Sequence, residues 1–151
     1  MFALERGATG FYDPRDGPLP RTDTHALRAA WHASARAAGG RAGEWTEQQY
    51  PRTYHTASVA GRGGLHLALC HAYLPLVAYV VGPCFRHVHE FRDSSAWSRP
   101  FTESGFTVLS PEQLNTPLGD VDTAVLTDAE WREIRFWEAT MLGGVLFNSW
   151  D

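Results

Sequence analysis

The sequence predicts an α+β fold: an antiparallel sheet of four or five strands, packed against one helix from the N-terminal region and two or three C-terminal helices. Three observations predict it. Small and apolar residues recur at helical spacing after Thr24, strand-like runs joined by short turns fill Tyr50 to Phe91, and capping boxes begin at Ser110 and Thr127. Consecutive strands joined by short turns pair as an antiparallel meander.

The composition is that of one globular domain covering residues 1–151. Of its residues 44% are hydrophobic and 20% are charged, so the chain has enough apolar material for a sizeable core. Residues 1–22 are dense in proline, glycine and aspartate and are expected to be irregular.

The net charge of −4 argues against a nucleic-acid partner, because the arginines are scattered among acids instead of forming a basic face. The first residues lack the layout of a signal peptide, and the most apolar stretch, 65–81, is too short and interrupted to span a bilayer. We therefore expect a soluble cytoplasmic protein without a membrane partner, in which Cys70 and Cys84 are free thiols.

The first helix is predicted to begin at Thr24. Asp23 or Thr24 can cap its start, and Gly39-Gly40 ends it. One face carries mostly small side chains, which lets the helix lie close to a sheet: Leu27, Ala30, Trp31, Ser34, Ala35 and Ala38.

Four strands are predicted between Tyr50 and Phe91. Each run is rich in β-branched, aromatic or alternating apolar residues, and turns rich in glycine separate some of them. The strands are Tyr54–Val59, Leu65–Cys70, Leu76–Val81 and Cys84–Phe91, with turns at 61–64 and 82–83.

The last third is predicted to be mainly helical. A short helix follows the cap Asp93-Ser-Ser and runs through Trp97, and Ser110 opens another. Phe106–Leu109 is a further candidate strand. The helix from Thr127 is expected to carry Trp131, Ile134, Trp137 and Met141 and to stop at Gly143-Gly144.

The densest group of reactive side chains runs from Cys84 to Asp93. His87 and His89 point to the same face of a strand, since side chains alternate along it. A histidine beside a carboxylate can transfer protons near neutral pH. We therefore take His87, His89, Glu90 and Asp93 as the candidate catalytic residues.

The same pair is a candidate metal site. Two histidines on a strand with Asp93 four residues later resemble, in part, the ligand set of cupin-type metal sites, which implies zinc or iron held by His87, His89 and Asp93. A cupin also supplies a later histidine, and this chain has none after residue 89. We therefore expect no bound metal or other cofactor, with zinc or iron as the alternative.

Three further residues are candidates for binding. His66 lies on the polar face of its predicted strand, from which it can meet the histidine pair across the sheet. Arg86 stands within the histidine segment, and Trp97 is one of six tryptophans that form either an aromatic core or the wall of an aromatic-lined cavity.

The C-terminal residues Gly143-Gly-Val-Leu-Phe-Asn-Ser-Trp-Asp151 resemble the ending of an uncharacterised family of small bacterial proteins that finish in Gly-x-x-x-Phe-Asn-x-Trp-Asp. In the family a proline often stands two residues after the tryptophan of its aromatic-tryptophan pair, where this chain has Ala139. The resemblance implies a small α+β domain and no particular activity. All 13 basic residues are arginine, which is typical of a GC-rich bacterial genome.

Two functional hypotheses follow. The first is a non-catalytic binding or regulatory protein of the immunity or adaptor type, because the chain is small, acidic and without a complete catalytic motif. Its partner is then a protein, as yet unknown. The alternative is a small enzyme of a specialised biosynthetic pathway, such as a cyclase, isomerase or hydrolase, with a cavity for a small molecule on the His87/His89 face.

Overall fold

A mixed sheet forms the centre of the fold. The structure is a computed structural model that describes residues 1–61, 64–81, 89–93 and 95–151. Within these residues the strands are β1 (Arg41–Thr46), β2 (Tyr54–Gly61), β3 (Gly64–His71), β4 (Leu76–Val80) and β5 (Thr107–Val108), in that spatial order. The helices are α1 (Thr24–Ala37), α2 (Ser95–Glu103), α3 (Pro111–Leu114), α4 (Asp128–Phe136) and α5 (Leu142–Leu146).

The predicted α+β class is confirmed, with one difference in strand direction. β1 to β4 form the expected antiparallel meander, but β5 runs parallel to β4. The chain passes through α2 between these two strands, and a crossover of this kind returns the chain in the same direction. Of the predicted strand Cys84–Phe91, residues 84–88 lie outside the described residues, whereas Phe91 forms an antiparallel bridge with Val80.

Helices cover both faces of the sheet. On one face α1 and α2 pack on alternate side chains of β2 to β4, including Ala68 and Tyr79. On the other face the N-terminal segment and α3 to α5 pack on the intervening side chains, such as Leu69 and Val80. The middle strands are therefore buried on both sides, which requires apolar residues at successive positions.

The predicted helix starts at Thr24, Ser110 and Thr127 are confirmed by their caps, whereas part of the predicted cap Asp93-Ser-Ser lies outside the described residues. The Asp23 carboxylate accepts from the amide of Ala26 at the start of α1, and Gly39, with φ of 68°, follows its end. Ser110 and Thr127 each form a complete capping box at the start of α3 and α4.

The prediction of one long helix from Thr127 to Met141 is wrong. α4 ends at Phe136, and Glu138 adopts a φ of 58°, which breaks the helix. Met141 instead forms an antiparallel bridge with Pro117. Gly143 does not stop a helix, because it lies inside α5, where a Cβ would come within 2.5 Å of the Phe91 ring.

The strand β1 is absent from the sequence prediction. Its residues, Arg41 to Thr46, include arginine, alanine, glycine and glutamate, and only Trp45 and Thr46 favour strands. Its pairing with β2 therefore depends on the neighbouring strand and on the close approach of Gly40, where a Cβ would lie 2.3 Å from the Ala60 carbonyl oxygen.

The C-terminal residues pack into the core. Phe147, Asn148 and Trp150 are all buried. The Asn148 side chain donates to the carbonyl of Gly144 and accepts from the amide of Trp150. The tail thereby satisfies its own backbone groups while its two rings fill the space below β2 and the N-terminal segment.

Candidate functional site

His89 points into the core and not into open space. Its Nε2 lies 2.6 Å from the carbonyl oxygen of Phe147, so Nε2–H donates to that carbonyl. The half-buried ring packs against Tyr54 and Phe91, with centroid distances of 5.8 and 5.4 Å. Among the candidate catalytic residues, His89 therefore binds the C-terminal tail through its Nε2 atom.

The other residues of the histidine segment separate into two groups. Cys84, Arg86 and His87 lie outside the described residues. Glu90 and Asp93 are described, and both side chains are exposed at the surface. The His87/His89 pair, as a catalytic or metal-binding unit, therefore stays a sequence prediction.

The expected meeting of His66 with His89 is wrong. His66 alternates with Leu67 and so points to the same side as Ala68 and Cys70, against α1 and α2. His89 contacts Tyr54 on the opposite side. The predicted polar face of β3 is in fact a second buried face, because α2 covers it.

The structure brings together His66 and Trp97, two of the predicted binding residues. Their ring centroids are 3.7 Å apart and the rings are nearly perpendicular, at 79°. His66 is buried and Trp97 is half-buried. This edge-to-face contact packs α2 against the sheet. Trp97, a candidate binding residue, therefore packs against the core on this side of the sheet.

Two further histidines are buried as neutral side chains. The Nδ1 atom of His71 accepts from the amides of Tyr73 and Leu74, and Nε2 donates to the carbonyl of Ala8. In His55, Nδ1 accepts from the amide of Gln48. Burial lowers the pKa of both, and that of His71 falls to about 4. These rings hold turns and the N-terminal segment in place.

Metal ligands do not converge within the described ranges. No three side chains of histidine, cysteine, aspartate or glutamate in this part of the chain are grouped so that they could hold an ion. Since His87 and Cys84 lie outside these ranges, the expectation that no metal binds stays a prediction.

A groove runs between the N-terminal segment, the turn at Tyr50 and α4. It consists of two adjoining cavities of about 530 and 370 Å³, which share Phe11, Tyr50, Arg132 and Glu133. Volumes of this size are typical of ligand sites. We call it the acid–aromatic groove and define it by Phe11, Tyr12, Asp13, Asp16, Tyr50, Glu130, Arg132, Glu133, Phe136, Trp137 and Trp150.

The wall and floor of the groove are held by hydrogen bonds between distant segments. The buried Glu130 carboxylate accepts from the Thr9 hydroxyl and, 3.2 Å away, from the hydroxyl and the amide of Thr127. Trp150 donates through its indole N–H to the Thr9 carbonyl, and its ring lies 5.5 Å from that of Phe11. The groove is therefore preformed.

The rim carries large exposed aromatic rings. Tyr50 is 72% exposed, Phe136 71% and Tyr12 50%. Apolar side chains scattered singly on a surface are common, but three exposed aromatic rings along one groove form a cluster. Such rings supply much of the binding free energy in protein interfaces.

The groove carries an excess of negative charge. Four carboxylates and one guanidinium line its larger cavity: Asp13, Asp16, Glu130, Glu133 and Arg132. Asp13 forms a salt bridge with Arg15, and this partner keeps the pKa of that carboxyl below its ordinary value. Asp16 interacts electrostatically with Arg15, whereas Glu133 makes no ion pair or side-chain hydrogen bond with the residues that the structure describes. The Glu133 charge is available to a partner.

Sequence reasoning missed this groove because its parts come from four separate segments. One local signal was present. In α4 the helical spacing turns Ile134 toward the core, and it therefore turns Arg132 and Phe136 outward. A phenylalanine on the outer face of an otherwise charged helix is an indication of a contact surface.

No helix in the described part of the chain is both long and apolar enough to cross a bilayer. No protein-family model, curated protein or solved structure matches this chain.

Proposed function

We propose that this chain is a non-catalytic binding protein that docks a basic protein partner in the acid–aromatic groove. One observation carries the proposal: the exposed rings of Tyr12, Tyr50 and Phe136 line the same groove as the carboxylates of Asp16 and Glu133, and Glu133 forms no salt bridge with the residues that the structure describes. Rings give contact area, and the carboxylates select a partner of opposite charge.

The charge of the whole chain supports the same partner class. A net charge of −4 attracts a basic protein over a distance, and this attraction raises the rate of association at low salt. The preformed groove also reduces the entropy lost on binding, because its floor is already ordered by Glu130 and Trp150.

The contacts of His89 favour binding over catalysis at the His87/His89 face. A general base needs a nitrogen that can reach a substrate, but Nε2 of His89 donates to the Phe147 carbonyl and its Nδ1 is buried. The small-enzyme alternative then depends on His87, Glu90 and Asp93.

The proposal is tested by capture from a lysate of the source organism at low and moderate salt. The bait is the wild-type protein, a Tyr50→Ala/Phe136→Ala variant, or a control in which the exposed Leu65 and Val81 are replaced by alanine. We expect one basic protein to be retained by the wild type and the control and lost by the groove variant, with weaker retention at moderate salt.

Two outcomes would overturn the proposal. One is retention of the same partner by the groove variant. The other is the absence of any groove-dependent partner while the purified protein turns over or tightly binds a small molecule.

A further inference from the structure

The Glu130 carboxylate is the starting point, because it is a buried acid without a cation. The residue is only 8% exposed and lines the larger cavity of the groove. In the part of the chain that the structure describes, it accepts from uncharged donors alone, namely Thr9 and Thr127. The N-terminus of α4 offsets part of its charge. Buried carboxylates usually have a cationic partner, and here the cavity leaves room for one.

The surroundings of this acid fit a planar cation. Phe11, Tyr12 and Tyr50 line the same cavity, and the rings of Phe11 and Tyr50 meet edge to face at a centroid distance of 6.3 Å. A cation is attracted to the face of an aromatic ring. Glu133 and Asp16 are further acidic residues that line this cavity.

Among cationic side chains, arginine matches this combination best. Its guanidinium is flat, stacks on aromatic rings and donates in pairs to carboxylates, whereas the lysine ammonium is a compact and more strongly hydrated charge. The cavity of about 530 Å³ is large enough for the whole side chain.

We propose that the larger cavity of the acid–aromatic groove binds the guanidinium group of an arginine side chain on the protein partner, between the aromatic rings and the carboxylates of Glu130 and Glu133. This inference names the anchor residue of the partner and so rests on the proposed function. The side chain occupies the cavity, and the remaining groove toward Phe136 and Trp137 contacts the rest of the partner.

A small mimic tests the cavity without the partner. N-acetyl-arginine methylamide is titrated into the labelled protein and followed by amide chemical shifts, with the lysine and citrulline analogues as comparisons. We expect millimolar affinity for the arginine compound, weaker binding of the lysine compound and none of the citrulline compound, which has nearly the same shape and no charge. Shifts should concentrate at Tyr12, Tyr50 and Glu133.

Matched variants locate the binding. Glu133→Gln removes a charge from a partly exposed position, and Glu112→Gln removes one from the exposed face of α3, outside the groove. We expect Glu133→Gln to weaken the arginine mimic about fivefold and Glu112→Gln to leave its affinity unchanged. Equal binding of the citrulline compound, no binding of the arginine compound, or an unchanged affinity in Glu133→Gln would overturn the inference.

The outcomes separate this inference from the proposed function. If a partner needs the groove but the arginine mimic neither binds nor displaces it, the inference fails and the proposed function stands. If the mimic binds as expected and no groove-dependent partner exists, the cation site stands and the proposed function fails. Micromolar affinity for free agmatine would assign the cavity to a small molecule and overturn the choice of a protein side chain.

Discussion

The indole N–H of Trp150 donates a hydrogen bond to the carbonyl oxygen of Thr9, 2.9 Å away and 141 positions earlier in the chain. The Thr9 hydroxyl donates in turn to Glu130 of α4. Thr9 therefore links the C-terminal tail at Trp150 to the N-terminal segment and to α4, which forms one wall of the acid–aromatic groove. The stability of the tail and the shape of the groove are therefore coupled.

Removing the Trp150 side chain should destabilise the whole protein. Trp150 is 4% exposed, so Trp150→Ala leaves a large cavity and deprives the Thr9 carbonyl of its donor. We expect the free energy of unfolding to fall by ~3–5 kcal/mol, measured by urea denaturation followed by far-ultraviolet circular dichroism. Phe136→Ala is the control, since that ring is 71% exposed and its loss should cost less than ~0.5 kcal/mol. Equal losses in the two variants would contradict the structure.

A methyl group at Gly143 should be harmful although the residue is helical. An added Cβ would lie 2.5 Å from the Phe91 ring and 3.0 Å from the Leu114 carbonyl oxygen. At a solvent-exposed position within a helix, replacing glycine with alanine stabilises the folded protein by ~1 kcal/mol. A net loss of stability at Gly143 would therefore indicate the close contact of an added Cβ with Phe91 and Leu114. We expect Gly143→Ala to lower the free energy of unfolding by ~1–3 kcal/mol.

Gly119 is the matched control for this experiment, because a Cβ there would meet nothing within 4 Å. Gly119→Ala should leave the denaturation midpoint almost unchanged. A midpoint for Gly143→Ala at or above that of the wild type would show that α5 does not approach Phe91 and Leu114 as described.

Stability should fall in mild acid because of buried histidines. Burial lowers the pKa of His71 from 6.5 to about 4, and lowers that of His55 in the same direction. In the unfolded chain these rings take up protons near pH 6.5, so the unfolded state binds more protons below that pH. The resulting stability is complete above pH 6.5 and is lost as the pH falls toward 4, by roughly 3 kcal/mol for His71.

Urea midpoints at pH 7.5, 6 and 5 measure this loss. His71→Gln should flatten the pH dependence, although it also lowers stability at pH 7.5 by removing the bonds to Ala8, Tyr73 and Leu74. His25→Gln, at an exposed position on α1, should preserve the wild-type slope. A nuclear magnetic resonance titration that places the pKa of His71 near 6.5 would refute the prediction.

The Cys70 thiol should be inert in the folded protein. It is fully buried, carries a free sulfhydryl, and burial raises its pKa to about 12, so the reactive thiolate is scarce at neutral pH. In a Cys84→Ser variant we expect no reaction with a thiol-specific disulfide reagent at pH 8 until guanidinium chloride is added. Stoichiometric labelling of the native variant within minutes would exclude the buried position.

Elemental analysis of untagged protein should find no near-stoichiometric zinc, iron or nickel, because the sequence supplies no evident further ligand that would complete the set of His87, His89 and Asp93. The prediction is contradicted if the protein carries one metal ion per chain that the His87→Ala/His89→Ala variant lacks and that is released as the pH falls below about 6. That result would make the small-enzyme alternative the leading hypothesis.

Local sequence signals predicted the elements whose causes are local. Asp23, Ser110 and Thr127 cap helices by bonding amides three residues ahead, so their role can be inferred from a short window of sequence. The strands β2 to β4 follow from dense β-branched and alternating residues. The α+β class follows from these elements together.

The burial of the second sheet face could not be predicted in the same way. The alternation of side chains along β3 places His66 and Leu67 on opposite faces of the sheet. It does not predict that α2 covers the face that carries His66. Local spacing also does not give the end of α4, since the pairing of Met141 with Pro117 competes with helix formation and involves residues far apart in sequence.

By itself the sequence determined the fold class, the helix starts, the middle strands and the acidic charge, because each depends on residues within a few positions or on composition alone. Only the tertiary structure decided that β5 lies parallel to β4, that His89 holds the tail, and that Tyr12, Tyr50 and Phe136 line one acidic groove. The physical reason is that these relationships depend on packing between distant segments, whose relative positions no local periodicity encodes.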